Sequence, residues 1–67
     1  AWFPNGSKVI TNENEVGIIV KQNKGLADRP IIKIIRDSSG NDLKDGPVKN
    51  LLECLTVFIV DTTDEEI

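Results

Sequence analysis

The sequence predicts an all-β domain, a small barrel of about five short antiparallel strands, with room for one short helical turn near residues 48–53. Three observations predict this. Two β-type runs, Val16-Gly17-Ile18-Ile19-Val20-Lys21 and Ile31-Ile32-Lys33-Ile34-Ile35-Arg36, flank a polar loop from Gln22 to Pro30. Gly, Pro and Asn turn signals recur at intervals of roughly ten residues, the spacing of short strands in barrels and sandwiches. The strands are apolar on both faces, which does not suit an open sheet with one solvated face; strong curvature or a covering partner would explain it.

The elements follow in order. Asn5-Gly6 is a turn signal. Ser7 to Thr11 reads as a first strand, with Val9 and Ile10 on opposite faces. Asn12-Glu13-Asn14 links it to the second strand as a hairpin. Gly17 inside that strand marks a bend, a bulge or a close backbone approach. The residue before Pro30 is biased to extended geometry, and Pro30 suits the first position of a strand, where its missing N–H does least harm. In the third strand Ile32 and Ile34 share one face, and Ile31 and Ile35 the other. Asp37 to Asp42 is a dense turn cluster, and Asp45-Gly46-Pro47 is the next break. Val48 to Glu53 has partly helical spacing, but a short strand followed by a single turn fits its length. Leu55 to Val60 reads as the last strand, and residues 62–67 as an acidic tail that frays. A closed SH3-like barrel would also remove exposed sheet edges.

Sixty-seven residues make one domain. A chain this short buries only about 60% of the surface its unfolded form exposes, so its core must be supplemented or be very efficient. One Cys rules out an internal disulfide, and a chain without His is a poor zinc site. The net charge of −3 argues against non-specific nucleic-acid binding. A lone thiol, Cys54, fits a cytoplasmic setting. The longest apolar run, Val57 to Val60, is far too short to cross a bilayer, and no signal-peptide pattern is present. The chain holds no Met and begins Ala1-Trp2-Phe3-Pro4, which reads as a piece of a larger protein with residues 1–4 as an interdomain crossing. Trp2 and Phe3 either close one end of the core or pack against a neighbouring domain.

The run Phe3-Pro4-Asn5-Gly6-Ser7-Lys8-Val9-Ile10, followed by Asn14-Glu15-Val16-Gly17-Ile18-Ile19-Val20, resembles the start of the small domain that follows the HD-GYP domain. That family's tail commonly reads Pro-x-Gly-Ser/Thr-x-Val, then Gly-Glu-x-Gly-x-Val. An Asn-containing loop, Arg-Pro before a strand and an Asp-x-x-Gly turn follow. Here these elements are Asn23, Arg29-Pro30, Ile31 to Ile35 and Asp37 to Gly40, and the closing strand is similar at Leu55 to Asp61. The resemblance extends from Phe3 to about Thr62. At Asn14 the family usually has Gly; Asn is the next best residue for the positive φ such a turn needs. HD-GYP proteins are bacterial metal-dependent phosphohydrolases of cyclic di-GMP. The resemblance therefore implies a parent enzyme whose His-Asp pair, Gly-Tyr-Pro loop and metal centre lie elsewhere in the chain, with no cofactor in this domain.

Arg29 is the best single candidate for a contact, since a guanidinium at a loop mouth can hold a phosphate or carboxylate. The plainer expectation is a salt bridge to Asp28 or Asp37, or a solvated side chain. Lys21, Lys24 and Arg29 form a modest basic loop, diluted by Asp28 and without a nearby aromatic for base stacking. Asp37-Ser38-Ser39-Gly40 does not match the Asp-x-Ser-x-x-Gly of cyclic di-GMP-binding PilZ domains, and a hairpin turn explains it. Asp61, Asp64, Glu65 and Glu66 lack the spacing of a calcium loop. Cys54 follows an acidic residue, which argues for a core thiol rather than a reactive one.

Three functions follow. The first is a non-catalytic accessory domain at the C-terminus of an HD-GYP-type phosphohydrolase. It would pack on the catalytic domain or a second subunit through Trp2, Phe3 and an apolar barrel face, with Arg29 as a further contact. The second is a small nucleic-acid-binding barrel, because Val16 to Val20 superficially resembles the KOW signature. The third is an enzyme in its own right, which the absence of His and of a nucleophile–base pair disfavours. The first reading fits best.

Overall fold

The computed structural model describes residues 3–25 and 29–63. Five strands run in chain order: β1 Lys8–Thr11, β2 Val16–Lys21, β3 Ile31–Arg36, β4 Val48–Asn50 and β5 Ile59–Thr62. They form one antiparallel sheet in the order β4-β3-β2-β1-β5. The all-β expectation holds, and no helix occurs among the described residues.

The sheet curls because it is irregular at defined places. The β2–β3 register shifts between Val16 and Gly17 and again between Ile19 and Lys21; the β1–β5 register shifts at Ile10/Thr11. Each bulge adds local twist and bend. The extra residues at the last two shifts are Val20 and Val60, and both are exposed. Gly17 is needed at its position. A Cβ there would lie 3.0 Å from Ile32 Cδ1 and 3.4 Å from the Lys33 carbonyl oxygen. Gly17 and Val9 pair in β1–β2, and Gly17 and Ile34 in β2–β3, so the close approach falls in the middle of the core.

The core is Val9, Ile19, Ile32, Ile34, Leu51 and Val57, with Phe3, Leu43, Cys54 and Ile59 packed against it. Ile32 and Ile34 are fully buried, whereas Ile31 and Ile35 on the other face of β3 are only half-buried. Curvature thus gathers one face inward and leaves the other partly open. Leu51 and Val57 lie in neither β4 nor β5 but in the connection between them, which fills the interior between the two edge strands.

The β1–β2 hairpin turns on Asn14, whose φ is 62°, as an Asn standing in for Gly should be. Thr11 is almost fully buried, and its hydroxyl accepts bonds from the Glu13 and Glu15 amides. A buried hydroxyl satisfied within its own turn carries little desolvation cost.

The C-terminal third meets expectation at β4 and departs from it in two ways after that. Val48 to Asn50 is a strand, as its length suggested, and the helical spacing after it reflects one turn in which the Glu53 and Cys54 amides both donate to the Asn50 carbonyl. The last strand begins at Ile59, not Leu55. The Val57 amide bonds back to the Cys54 carbonyl, so Leu55 and Thr56 belong to a second turn. The stretch alternates in sequence, but Leu55 does not share the inward side with Val57 and Ile59: it is exposed, as are Phe58 and Val60. Pairing then runs past the expected end: Thr62 lies in β5 and the Thr63 amide donates to the Lys8 carbonyl. The remainder of the acidic tail, 64–67, lies outside the described residues.

Gly46 marks the tightest contact between chain segments. A Cβ there would sit 1.7 Å from the Ile34 carbonyl oxygen, where the Ile34 amide also bonds to the Pro47 carbonyl. Gly46→Ala is therefore expected to cost about 2 kcal/mol or more through overpacking against rigid backbone, read as a lower urea midpoint. Gly17→Ala should cost less, because its nearest obstacle is the mobile end of Ile32. Equal midpoints for the two variants would contradict this account of β4's approach to β3.

Candidate functional site

Arg29 stands at the entrance to β3, and its side chain turns toward the β4–β5 connection. Its Nε donates to the Leu51 carbonyl at 2.7 Å. Its Nη2 donates to the Cys54 and Val57 carbonyls at 3.2 and 3.0 Å. An irregular segment that must be buried leaves main-chain acceptors without ladder partners. A planar guanidinium, with donors in a fixed fork, can satisfy several carbonyls at once. Of the two carboxylates expected to hold Arg29, Asp37 is engaged in its own turn, and Asp28 lies outside the described residues.

Two asparagines complete the arrangement. Asn23 Nδ2 donates to the Arg29 carbonyl at 2.6 Å and to Asn50 Oδ1 at 2.9 Å; Asn50 Oδ1 also accepts from the Leu52 amide. Asn12 acts at the other end of the connection. Its Nδ2 donates to the Thr56 carbonyl at 2.9 Å and its Oδ1 accepts from the Phe58 amide at 2.8 Å. One side chain thus bonds to the main chain on both sides of Val57, while the Asn12 amide donates to the Phe58 carbonyl. The bonds of Asn23 to Asn50 and of Asn12 to Thr56 and Phe58 span 27 to 46 residues and have no local sign in the sequence.

Of the residues expected at a contact surface, Phe3 is partly buried against the core. Its carbonyl accepts a bond from Gln22 Nε2, which also donates to Asn5 Oδ1 at 3.0 Å. Trp2 lies outside the described residues. Cys54 is half-buried against the core. Among the basic residues, Lys8 and Lys33 share one cross-strand row with Ile18 and Val48, and Lys21 and Lys24 are exposed. No pocket, and no group of three or more His, Cys, Asp or Glu placed to hold a metal, occurs among the described residues. No helix there is long and apolar enough to cross a membrane.

Two charged groups are fixed by hydrogen bonds of the fold itself. Lys49 Nζ lies 2.9 Å from Glu15 Oε1 and 3.6 Å from Glu13 Oε1, tying β4 to the β1–β2 turn. The hydrogen bond to Glu15 holds the Lys49 ammonium above its ordinary range; burial opposes this, and the charges of Glu15 and Glu13 assist it. Asp37 Oδ1 accepts from the Ser39 and Asn41 amides, both at 2.9 Å. The bond from the Asn41 amide is the main reason its carboxyl is held below the usual value of 3.8. The Asp37 to Gly40 cluster is thus a self-satisfied hairpin turn, with Gly40 at φ 89°.

The family model for the KOW domain associated with HD domain matches residues 8–67, from the first residue of β1 through all five strands. The chain belongs to that family. No curated protein and no solved structure matches it. The association makes this small β domain an accessory unit of HD-domain proteins.

Arg29→Ala should destabilise the domain by about 2–3 kcal/mol, since three carbonyls lose a charged donor. Arg29→Lys should recover only part of this, because a point charge cannot span three acceptors. Urea unfolding measures both, and an Arg29→Ala midpoint equal to wild type would remove the guanidinium from this structural role. For Asp37 the folded-state carboxyl is depressed, so its contribution is complete above the unfolded value and is lost as pH falls through the lower folded value. Carboxyl NMR should place its titration below 3.8, and Asp37→Ala should flatten that part of the acid limb of stability. A titration at or above 3.8 would contradict the turn geometry.

Proposed function

We propose that this domain is a non-catalytic accessory unit of a bacterial HD-GYP-type phosphohydrolase acting on cyclic di-GMP, packing on its catalytic domain. The observation that carries this reading is the family match across all five strands, in a family defined by its association with an HD domain. The sequence resemblance to the tail of HD-GYP proteins, from Phe3 to about Thr62, supports the narrower assignment. The internal polar chemistry supports the accessory role. Arg29, Asn12, Asn23, Asn50 and Lys49 all bond to the domain's own main chain or carboxylates. Chemistry on a phosphodiester would then belong to the HD domain, with its metal, and this unit would position that domain or support its assembly.

A KOW-like nucleic-acid role is the competing reading. Its one structural support is the row that places Lys8 and Lys33 beside Ile18 and Val48. The net charge of −3 works against it.

The test is cyclic di-GMP hydrolysis by the parent HD-domain protein and by the parent with this domain removed, with solution mass recorded for both. Removal should leave hydrolysis detectable but lowered, with a change in mass if assembly is the route. A full-length chain that hydrolyses no cyclic di-GMP overturns the substrate assignment. Salt-dependent RNA binding by the full-length chain, lost with this domain, would favour the competing reading.

A further inference from the structure

The exposed large apolar side chains are unevenly distributed. Among the described residues Leu55 is 72% exposed, Val60 55%, Phe58 47% and Leu52 37%, while Val48 and Val20 are exposed elsewhere in the sheet. The first four come from one nine-residue stretch that runs through the β4–β5 connection into β5. The stretch is not loose. Arg29 holds the carbonyls of Leu51, Cys54 and Val57, and Asn12 holds Thr56 and Phe58. Leu51, Val57 and Ile59 face the core between the exposed residues. The bulge at Val60 turns one more apolar side chain outward, which is a recurrent use of bulges. A rigid backbone with apolar side chains directed to solvent is how a surface organised for a partner differs from scattered exposure.

The two sheet edges also differ. The β4 edge is three residues long, follows Pro47 and carries Lys49, features that keep an edge from pairing. The β5 side carries neither Lys nor Pro. Its charges are Glu53, shortly before Leu55, and Asp61, directly after Val60, and the sequence continues into Asp64, Glu65 and Glu66. An acidic rim disfavours a second copy of this chain, whose own net charge is −3 and whose patch would carry the same rim. It fits an apolar surface bordered by Lys or Arg.

We propose that Leu55, Phe58 and Val60, rimmed by Glu53 and Asp61, form the face that packs on the HD domain of the same chain, against an apolar surface with a basic border. This rests on the accessory-domain reading and names the face through which that unit acts. The face uses residues of the β4–β5 connection and β5, none of them in the Lys8–Ile18–Lys33–Val48 row that the nucleic-acid reading would use.

The experiment is site-specific photo-crosslinking in the full-length chain. A benzophenone amino acid replaces Leu55 in one sample and Val48, also exposed and on the β4 edge, in another. Peptide mapping identifies the crosslinked partner, and mixing isotope-labelled with unlabelled chains separates links within a chain from links between chains. The expected result is an intrachain link from position 55 to the HD domain, severalfold stronger than from position 48. A link to the HD domain from position 48 alone overturns the choice of face and leaves the accessory reading standing. A link from position 55 to a second copy overturns the choice of partner. No link from either position overturns both the face and the docking reading. Leu55→Lys with Val60→Lys supplies a second measurement, read as loss of the link from a benzophenone at position 58 with the urea midpoint unchanged. Retention of that link would also overturn the proposal.

Discussion

The interaction on which this domain depends is the guanidinium of Arg29 against the main chain of the β4–β5 connection. The two edge strands of a five-stranded sheet do not pair with each other here, and something must fill the interior between them. Leu51 and Val57 do so, but they bring in a segment that turns twice and cannot join a ladder. A buried carbonyl without a donor costs about 1–3 kcal/mol. The Cys54 carbonyl also accepts the Val57 amide, so those of Leu51 and Val57 are the two that rely on Arg29, and leaving both unpaired would offset much of the stability of a domain this small. Arg29 reaches all three from one side chain anchored at the start of β3. The Arg-Pro pair then makes local sense. Pro30 sets the strand entrance, and its carbonyl accepts the Leu51 amide, so the strand and the connection it supports are fixed together.

Close packing elsewhere depends on the absence of side chains. Gly17 lets β3 cross β2 in the middle of the core, and Gly46 lets the chain lie on the Ile34 carbonyl before β4 begins. These contacts and the bulges beside them give the sheet the curvature that a short chain needs to enclose six fully or nearly fully buried apolar side chains. Lys49, tied to Glu15 and Glu13, then fastens the shortest strand to the first hairpin. A half-buried pair of this kind contributes modestly to stability, and its main effect is to fix where β4 lies.

Much of this was legible in the residues. The strand runs, the turn at Asn14, the meaning of Gly17 and the single turn after Asn50 each follow from local chemistry that the fold does not override. The last strand was misplaced because Leu55 to Val60 alternates as a strand does, and alternation cannot report that Thr56 and Phe58 are already bonded to a side chain 44 to 46 residues earlier. The position of Arg29 marks it as a contact residue, but its partners are main-chain carbonyls, which carry no sequence signature. Asn12, Asn23 and Asn50 read as turn or loop residues, and they are; their second role appears only when distant segments meet.

The distribution of charge carries the functional argument one step further. Arg36 pairs with Asp42, Lys49 with Glu15 and Glu13, and Asp37 with its own turn, so many charged side chains serve the fold itself. A domain that recognised a polyanion would instead gather cations on one face. What distinguishes the outer surface here is an apolar stretch held rigid by the same bonds that hold the core. Arg29 and Asn12 therefore act on both sides of one segment. Inward, they allow Leu51 and Val57 to complete the interior. Outward, they fix the backbone that presents Leu55, Phe58 and Val60. A family that accompanies an HD domain would gain from that coupling, because a surface ordered before contact loses less conformational entropy on packing.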